Sequence, residues 1–180
     1  MAVVVAALVS ALTLDQRAAA TSTSPCEHAA QVPRALGLRP AGVAIRCLVN
    51  RERAQRGLPP LKESAALRRA AQRHARDMRR GDFFAPRSPD GATLSSRVRQ
   101  AGYLDGARSW RLGECLARNA SERATPASVV RSWMRGGPAR RAILTRRFRH
   151  IGIGLALAVS DRRAGDGPEA LHVATLGARR

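Results

Sequence analysis

The spacing of apolar residues changes along this chain, and the changes divide it into elements. From Ala41 onward, Ala44, Cys47, Leu48 and Ala54 fall on one helical stripe, with Asn50, Arg51, Glu52 and Arg53 on its polar side. Gly57 and Pro59-Pro60 stop that helix. Ser64 then stands as a cap, and Leu67, Ala70, Ala71, His74 and Met78 form the apolar face of a second helix. Arg79-Arg80 suit the negative end of its dipole, and Gly81 closes it. Ser88-Pro89-Asp90-Gly91 is a turn, and a short third helix is predicted over about 93–101.

The period then becomes two. Residues 109–117, SWRLGECLA, read as a strand. Residues 148–159, FRHIGIGLALAV, alternate: Ile151, Ile153, Leu155, Leu157 and Val159 on one face, Gly152, Gly154, Ala156 and Ala158 on the other. A strand face of such small residues lets a helix or a neighbouring backbone come close. A polar hairpin loop over 161–167 leads to a last strand, EALHVATL, at 169–176. Between these strands, Thr125-Pro126 starts a helix with Val129, Val130, Trp133 and Met134 as its buried face. Gly136-Gly137-Pro138 ends it, and an apolar turn follows. Helices come first and strands late, with long crossovers, which is an α+β pattern with a sheet covered by helices. Residues 21–40 lack periodicity and read as an extended lead. No repeat or linker splits the remainder.

Composition narrows the function classes. The 180 residues carry a formal charge of +19, a balance that attracts polyanions such as nucleic acid, anionic lipid or acidic cell-wall polymers. All the basic residues except Lys62 are arginine. GC-rich codon usage is one explanation of that skew and needs no function; selection for binding polyanions is the other. Aromatics make up 3%, too few for a base-stacking platform, and no zinc-finger, RRM or basic-zipper pattern occurs, which argues against nucleic acid as the partner. The apolar run at 3–14 has the length of a signal-peptide core and is too short to span a bilayer comfortably. Residues 1–20 are therefore expected to be an export signal, the alternative being an apolar helix of the domain itself. In an exported protein two of Cys26, Cys47 and Cys115 would pair. Three pairings are possible, and Cys26–Cys47 is preferred because it staples the lead to the first helix. Cys115 is then a buried, inert thiol. The alternative is three reduced cysteines in a cytosolic protein.

The candidate chemistry is sparse. Four histidines, His28, His74, His150 and His172, form no H-x-x-x-H pair, and no nucleophile elbow or phosphate-binding loop stands in its required context. His74 lies on an apolar helix face, where a histidine is more often a core residue than a ligand. Glu114 stands between apolar neighbours in G-E-C-L-A, and a half-buried acid needs a partner. It either pairs with one of the arginines or lines a cavity.

Five segments in order carry a resemblance: L-V-N-R-E-R-A-Q-R-G-L-P-P-L, the helix from Ala65 to Gly81, F-F-A-P-R-S-P-D-G, G-E-C-L-A, and W-M-R-G-G-P-A-R-R-A-I-L followed by F-R-H-I-G-I-G-L-A. Over about residues 41–178 the chain resembles the short bacterial branch of the CAP superfamily, the SCP-like extracellular domain shared by cysteine-rich secretory, antigen 5 and pathogenesis-related proteins. The resemblance implies a three-layer α-β-α sandwich with a central antiparallel sheet. It also implies a cleft that in many members holds two histidines and one or two acids able to bind a divalent metal. Those histidine positions fall on Pro86 and Ala139, while Glu114 matches the acid. Neither proline nor alanine can ligate a metal or move a proton, and one carboxylate rarely holds a divalent ion. The expected cleft is therefore cationic and metal-free, with Glu114, Arg87, Arg140 and Arg141 as its ligand-facing residues.

The resulting expectation is a secreted, monomeric, non-enzymatic domain without a cofactor or a membrane-spanning segment in its mature form. Its ligand is unidentified; the family permits a lipid, and the charge permits an anionic polymer. Two alternatives stand beside it: a hydrolase of peptide or cell wall using His74 and Glu114, and a basic protein that binds polyanions through its surface.

Overall fold

The computed structural model describes residues 26–158 and 169–180. The expected signal segment at 1–20 and the hairpin loop at 161–167 lie outside them. Among the described residues, six α-helices precede or separate four strands: α1 (Pro33–Leu36), α2 (Leu38–Ala54), β1 (Lys62–Glu63), α3 (Ala65–Arg80), α4 (Leu94–Gln100), β2 (Trp110–Ala120), α5 (Pro126–Met134), α6 (Gly137–Leu144), β3 (His150–Ala158) and β4 (Glu169–Arg179). The sheet order is β1-β3-β4-β2. Its centre is antiparallel, but β1 pairs parallel to β3, through Lys62 opposite His150 and Glu63 opposite Ile151. Two residues of strand are too few to leave a periodic signal, so the sequence pattern does not predict β1.

Layering follows the alternation on β3. Ile151, Ile153 and Leu155 enter a core with Ile45, Leu48 and Val49 of α2, Val129 and Trp133 of α5, and Ile143 of α6. The small face meets α3. A methyl group on Gly152 would lie 2.1 Å from the Arg68 backbone nitrogen, and one on Gly154 would lie 2.2 Å from the Ala71 carbonyl carbon. The helix backbone thus rests directly on the strand, with Ala71, Ala75 and Met78 packed on Ala156, Leu171 and Val173. The result is an α+β sandwich of helix, sheet and helix.

Three helical boundaries differ from the pattern read in the sequence. The lead is not extended throughout: α1 and the start of α2 lie within 33–40. Pro33 begins α1, Gly37 at φ 94 turns the chain, and a Cys26–Cys47 disulfide ties residue 26 to α2. The segment after Gly136 is a full helix, α6, with Pro138 in its first turn. The stripe on α2 also shifts, because Ala54 is exposed and Arg53 is 0% exposed. The Arg53 guanidinium makes burial possible by donating to Pro59 O (2.9 Å), Ile143 O (2.5 Å) and Thr145 O (3.1 Å). It thereby closes the carbonyl end of α6 and fixes that helix against α2.

Beyond β1, the outer edge of β3 is held by a side chain. The Gln72 amide donates to Leu155 O (2.6 Å) and accepts from the Leu155 N–H (3.3 Å), as a neighbouring strand would.

Gly154→Ala should destabilise the fold by about 3 kcal/mol or more, because the new methyl meets helix backbone rather than a mobile side chain. Urea unfolding of the two proteins measures this. A loss below about 1 kcal/mol would show that α3 is free to move off the strand.

Candidate functional site

The local sequence sets the site. On β2, Leu112, Glu114 and Leu116 point to the α3–α4 side, while Cys115 and Ala117 point into the core with α2, α5 and α6. Ser64 caps α3 by accepting from the Leu67 N–H (3.3 Å), and the face that follows carries His74 under the sheet. Thr93 and Ser96 form a reciprocal capping box at the start of α4. That box fixes the rotation of a seven-residue helix whose inward face holds Arg97 beside Val98.

Glu114, Arg97 and His74 meet there. The Arg97 Nη2 donates to both carboxylate oxygens of Glu114, at 3.1 and 3.3 Å, and to Pro86 O at 2.8 Å, while Nη1 donates to Ala92 O at 3.1 Å. His74 Nε2 stands 3.9 Å from Glu114 Oε2. Side-chain exposure is 4% for Arg97, 7% for Glu114 and 0% for His74, so the cluster is sealed from solvent. Burial pushes the Glu114 carboxyl above its ordinary range, and the charge and hydrogen bonds of Arg97 pull against that. Burial, then the Arg97 charge, lowers His74 to about 4; the Ala85 backbone and Asp77 oppose the shift weakly. Neither ring nitrogen makes a hydrogen bond of ordinary geometry within the protein. The cluster is thus the Arg97–Glu114 pair beside an imidazole that is neutral at neutral pH.

The expected cleft residues divide. Glu114 and Pro86 come together, through Arg97. Ala139 does not join them: its carbonyl accepts from the Cys115 thiol (3.6 Å) on the other side of β2. Burial pushes that thiol up to about 12, so Cys115 is a protonated core residue. Arg87, Arg140 and Arg141 are exposed, and none lies within ion-pair distance of Glu114. The residue that neutralises Glu114 is Arg97, which the sequence reading missed. Its signal was available: Leu94, Arg97, Val98 and Ala101 share helical spacing, which places one charged residue on an otherwise apolar face. The other histidines are apart from this cluster. His28 is exposed beside Gln31, His150 pairs with the Tyr103 hydroxyl (2.8 Å), and His172 is buried in β4.

A divalent metal does not fit these residues. The two positions to which the family resemblance assigns imidazoles hold Pro86 and Ala139, and the Glu114 carboxylate is engaged by a guanidinium on both oxygens. Among the described residues, no three His, Cys, Asp or Glu side chains are grouped to hold an ion.

The fold, the acid on its edge strand and the order of segments define an SCP-like α-β-α domain. The profile of the CAP family, described as the cysteine-rich secretory protein family, matches residues 47–164, more than half of the chain, and the chain belongs to that family. Protein YkwD of Bacillus subtilis (strain 168) is 32% identical over 108 residues, which is 59% of this chain and 39% of that protein. An extracellular SCP-domain protein from Bacillus anthracis superposes with a TM-score of 0.61 at 20% identity, over 77% of this chain and 40% of that one. An outer surface protein from Borrelia burgdorferi gives 0.56 at 18% identity, over 76% of this chain and 90% of that one. The chain thus spans about two-fifths of the length of YkwD and of the Bacillus anthracis protein.

Burial also lowers His172 to about 4, against the backbone of Ala170, Ala124 and Ala117. Above about pH 6.5 both buried rings are neutral whether the chain is folded or not. As pH falls, the unfolded chain gains protons that the folded chain refuses until about 4, so stability is lost progressively from pH 6.5 to 4. Each ring contributes about 1.4 kcal/mol per pH unit in that window. His74→Leu should therefore remove about 1.4 kcal/mol per pH unit from the slope in that window, as measured by urea midpoints at a series of pH values. An unchanged slope would mean that His74 is not held neutral.

Proposed function

We propose that this chain is an exported, non-enzymatic CAP domain that acts by binding a partner at its surface, its former metal-type position having become a structural strut. The observation that carries this reading is the Arg97–Glu114 pair. Its guanidinium fills the carboxylate that a metal or a substrate would need, and it also holds the 82–93 loop through Pro86 O and Ala92 O. A buried pair of this kind is firm when complete and costly when halved. The Cys26–Cys47 disulfide supports an oxidising compartment, and the apolar run at 3–14 supports export to it. No described helix is long and apolar enough to cross a membrane. Arg87, Arg140 and Arg141 belong to the exposed surface available to a partner.

The hydrolase alternative rests on the 3.9 Å approach of His74 to Glu114. Two features weigh against it. The imidazole is fully buried with its pKa lowered to about 4, and the carboxylate is already committed to Arg97.

A double-variant cycle separates the two readings. Arg97→Met strands a buried carboxylate and should cost about 3–5 kcal/mol, whereas Arg97→Met with Glu114→Leu should recover most of that stability. Failure of the second substitution to rescue the first would argue against a strut. Zinc added to the purified protein should give no calorimetric site of micromolar affinity. A site of that strength, abolished by Glu114→Leu, would restore the metal reading.

A further inference from the structure

The chain has two tryptophans, and only one is used in the core. Trp133 is buried, its indole N–H donating to Leu116 O at 3.0 Å. Trp110, the first residue of β2, is 44% exposed. Together with it, Arg111, Arg147, Arg149, Arg179 and Arg180 line an open depression of about 640 Å³ at one end of the sheet, and no Asp or Glu side chain lines it. Among the described residues, none of these five arginines is in an ion pair. Unpaired arginines are common on this surface, so their number alone marks no site. That number does not account for a large exposed indole at the same end of the sheet.

The depression is also held in shape. The Arg180 and Ser109 backbones bond to each other (3.0 and 3.2 Å), and the Arg149 N–H donates to Gly177 O at 3.0 Å. The Arg179 guanidinium donates to Tyr103 O (2.8 Å) and Asp105 O (3.1 Å) and lies 5.2 Å from the centre of the Tyr103 ring. Arg149 donates to Arg146 O at 2.6 Å. Two of the five cations are therefore positioned before any ligand arrives, which lowers the entropy lost on binding.

We propose that this end of the sheet binds an acidic polysaccharide whose sugars carry carboxylates. An indole face accepts the C–H face of a sugar ring, and guanidinium forks match carboxylates. Trp110 and Arg179 are direct cross-strand partners, a spacing of about 5 Å between their Cβ atoms. A ring set on Trp110 places a carboxylate one bond away from it beside a cation. In a phosphodiester polymer the charge lies between the rings instead. Single-stranded nucleic acid is tracked by a succession of aromatic plates, and only one is present here. The disulfide fits a compartment where such polysaccharides occur. The assignment goes beyond the strut reading and does not depend on it, since Glu114 contributes nothing to this surface.

The test is calorimetric titration of the intact protein with oligogalacturonate, alongside neutral dextran, inorganic polyphosphate and a single-stranded oligonucleotide. Saturable binding to oligogalacturonate and none to dextran is expected, with affinity falling steeply as salt increases. Trp110→Ala, and separately Arg111→Ser with Arg147→Ser, should each weaken binding tenfold or more at unchanged melting temperature. Trp110→Phe should retain most of the binding. Equal or tighter binding of polyphosphate or oligonucleotide would overturn the assignment, as would an unaffected Trp110→Ala or the absence of saturable binding. Loss of binding in the Arg97→Met, Glu114→Leu protein would also overturn it, by moving the site to Glu114.

Discussion

Contact between the α3 backbone and the glycines of β3 sets the geometry of everything on that side of the sheet. Gly152 and Gly154 leave no side chain between helix and strand. The helix therefore approaches as closely as its own backbone allows, and its position is fixed by hard contact rather than by adaptable side chains. His74 lies one turn beyond Ala71, whose carbonyl carbon makes the contact. The imidazole is thus delivered under the sheet, to the place where β2 presents Glu114. Arg97 arrives from α4 and completes the cluster. A bulkier β3 would lift α3 and open that space to water.

Much of this was legible in the sequence. The clean alternation of 148–159 and its small face foretold both the strand and the close helix. Ser64, Thr125-Pro126 and the glycine stops gave helix boundaries within a few residues. What escaped shares one physical cause. The sequence pattern places Arg53 on the polar side of its helix and does not single out Arg97, because charge ordinarily excludes burial, yet each bonds to groups distant in sequence. Arg53 meets carbonyls at 143 and 145, and Arg97 meets the acid at 114 and a carbonyl at 86. No local pattern reports a partner that far along the chain. The family resemblance located Glu114 and the altered positions 86 and 139, but not the side of β2 on which each would stand.

The Glu114 cluster also ties a loop to the edge of the sheet. The acid is presented by the edge strand, and the 82–93 loop is joined to it through Arg97, which donates to Pro86 O and Ala92 O. Such a bond couples the loop to the sheet.

Arg53 carries a consequence for how this arginine-rich chain can vary. Its planar fork serves carbonyls from two separate segments at once, the Pro59 stretch and the end of α6, within a space closed to water. A lysine offers a compact point charge on a flexible stem and cannot span both. At most surface positions an arginine-to-lysine exchange would leave the molecule much as it is. At position 53, and likewise at 97, the same exchange would sever one part of the architecture from another. Whatever bias in the genetic text filled the chain with arginine, at these two sites the fold has made the choice irreversible.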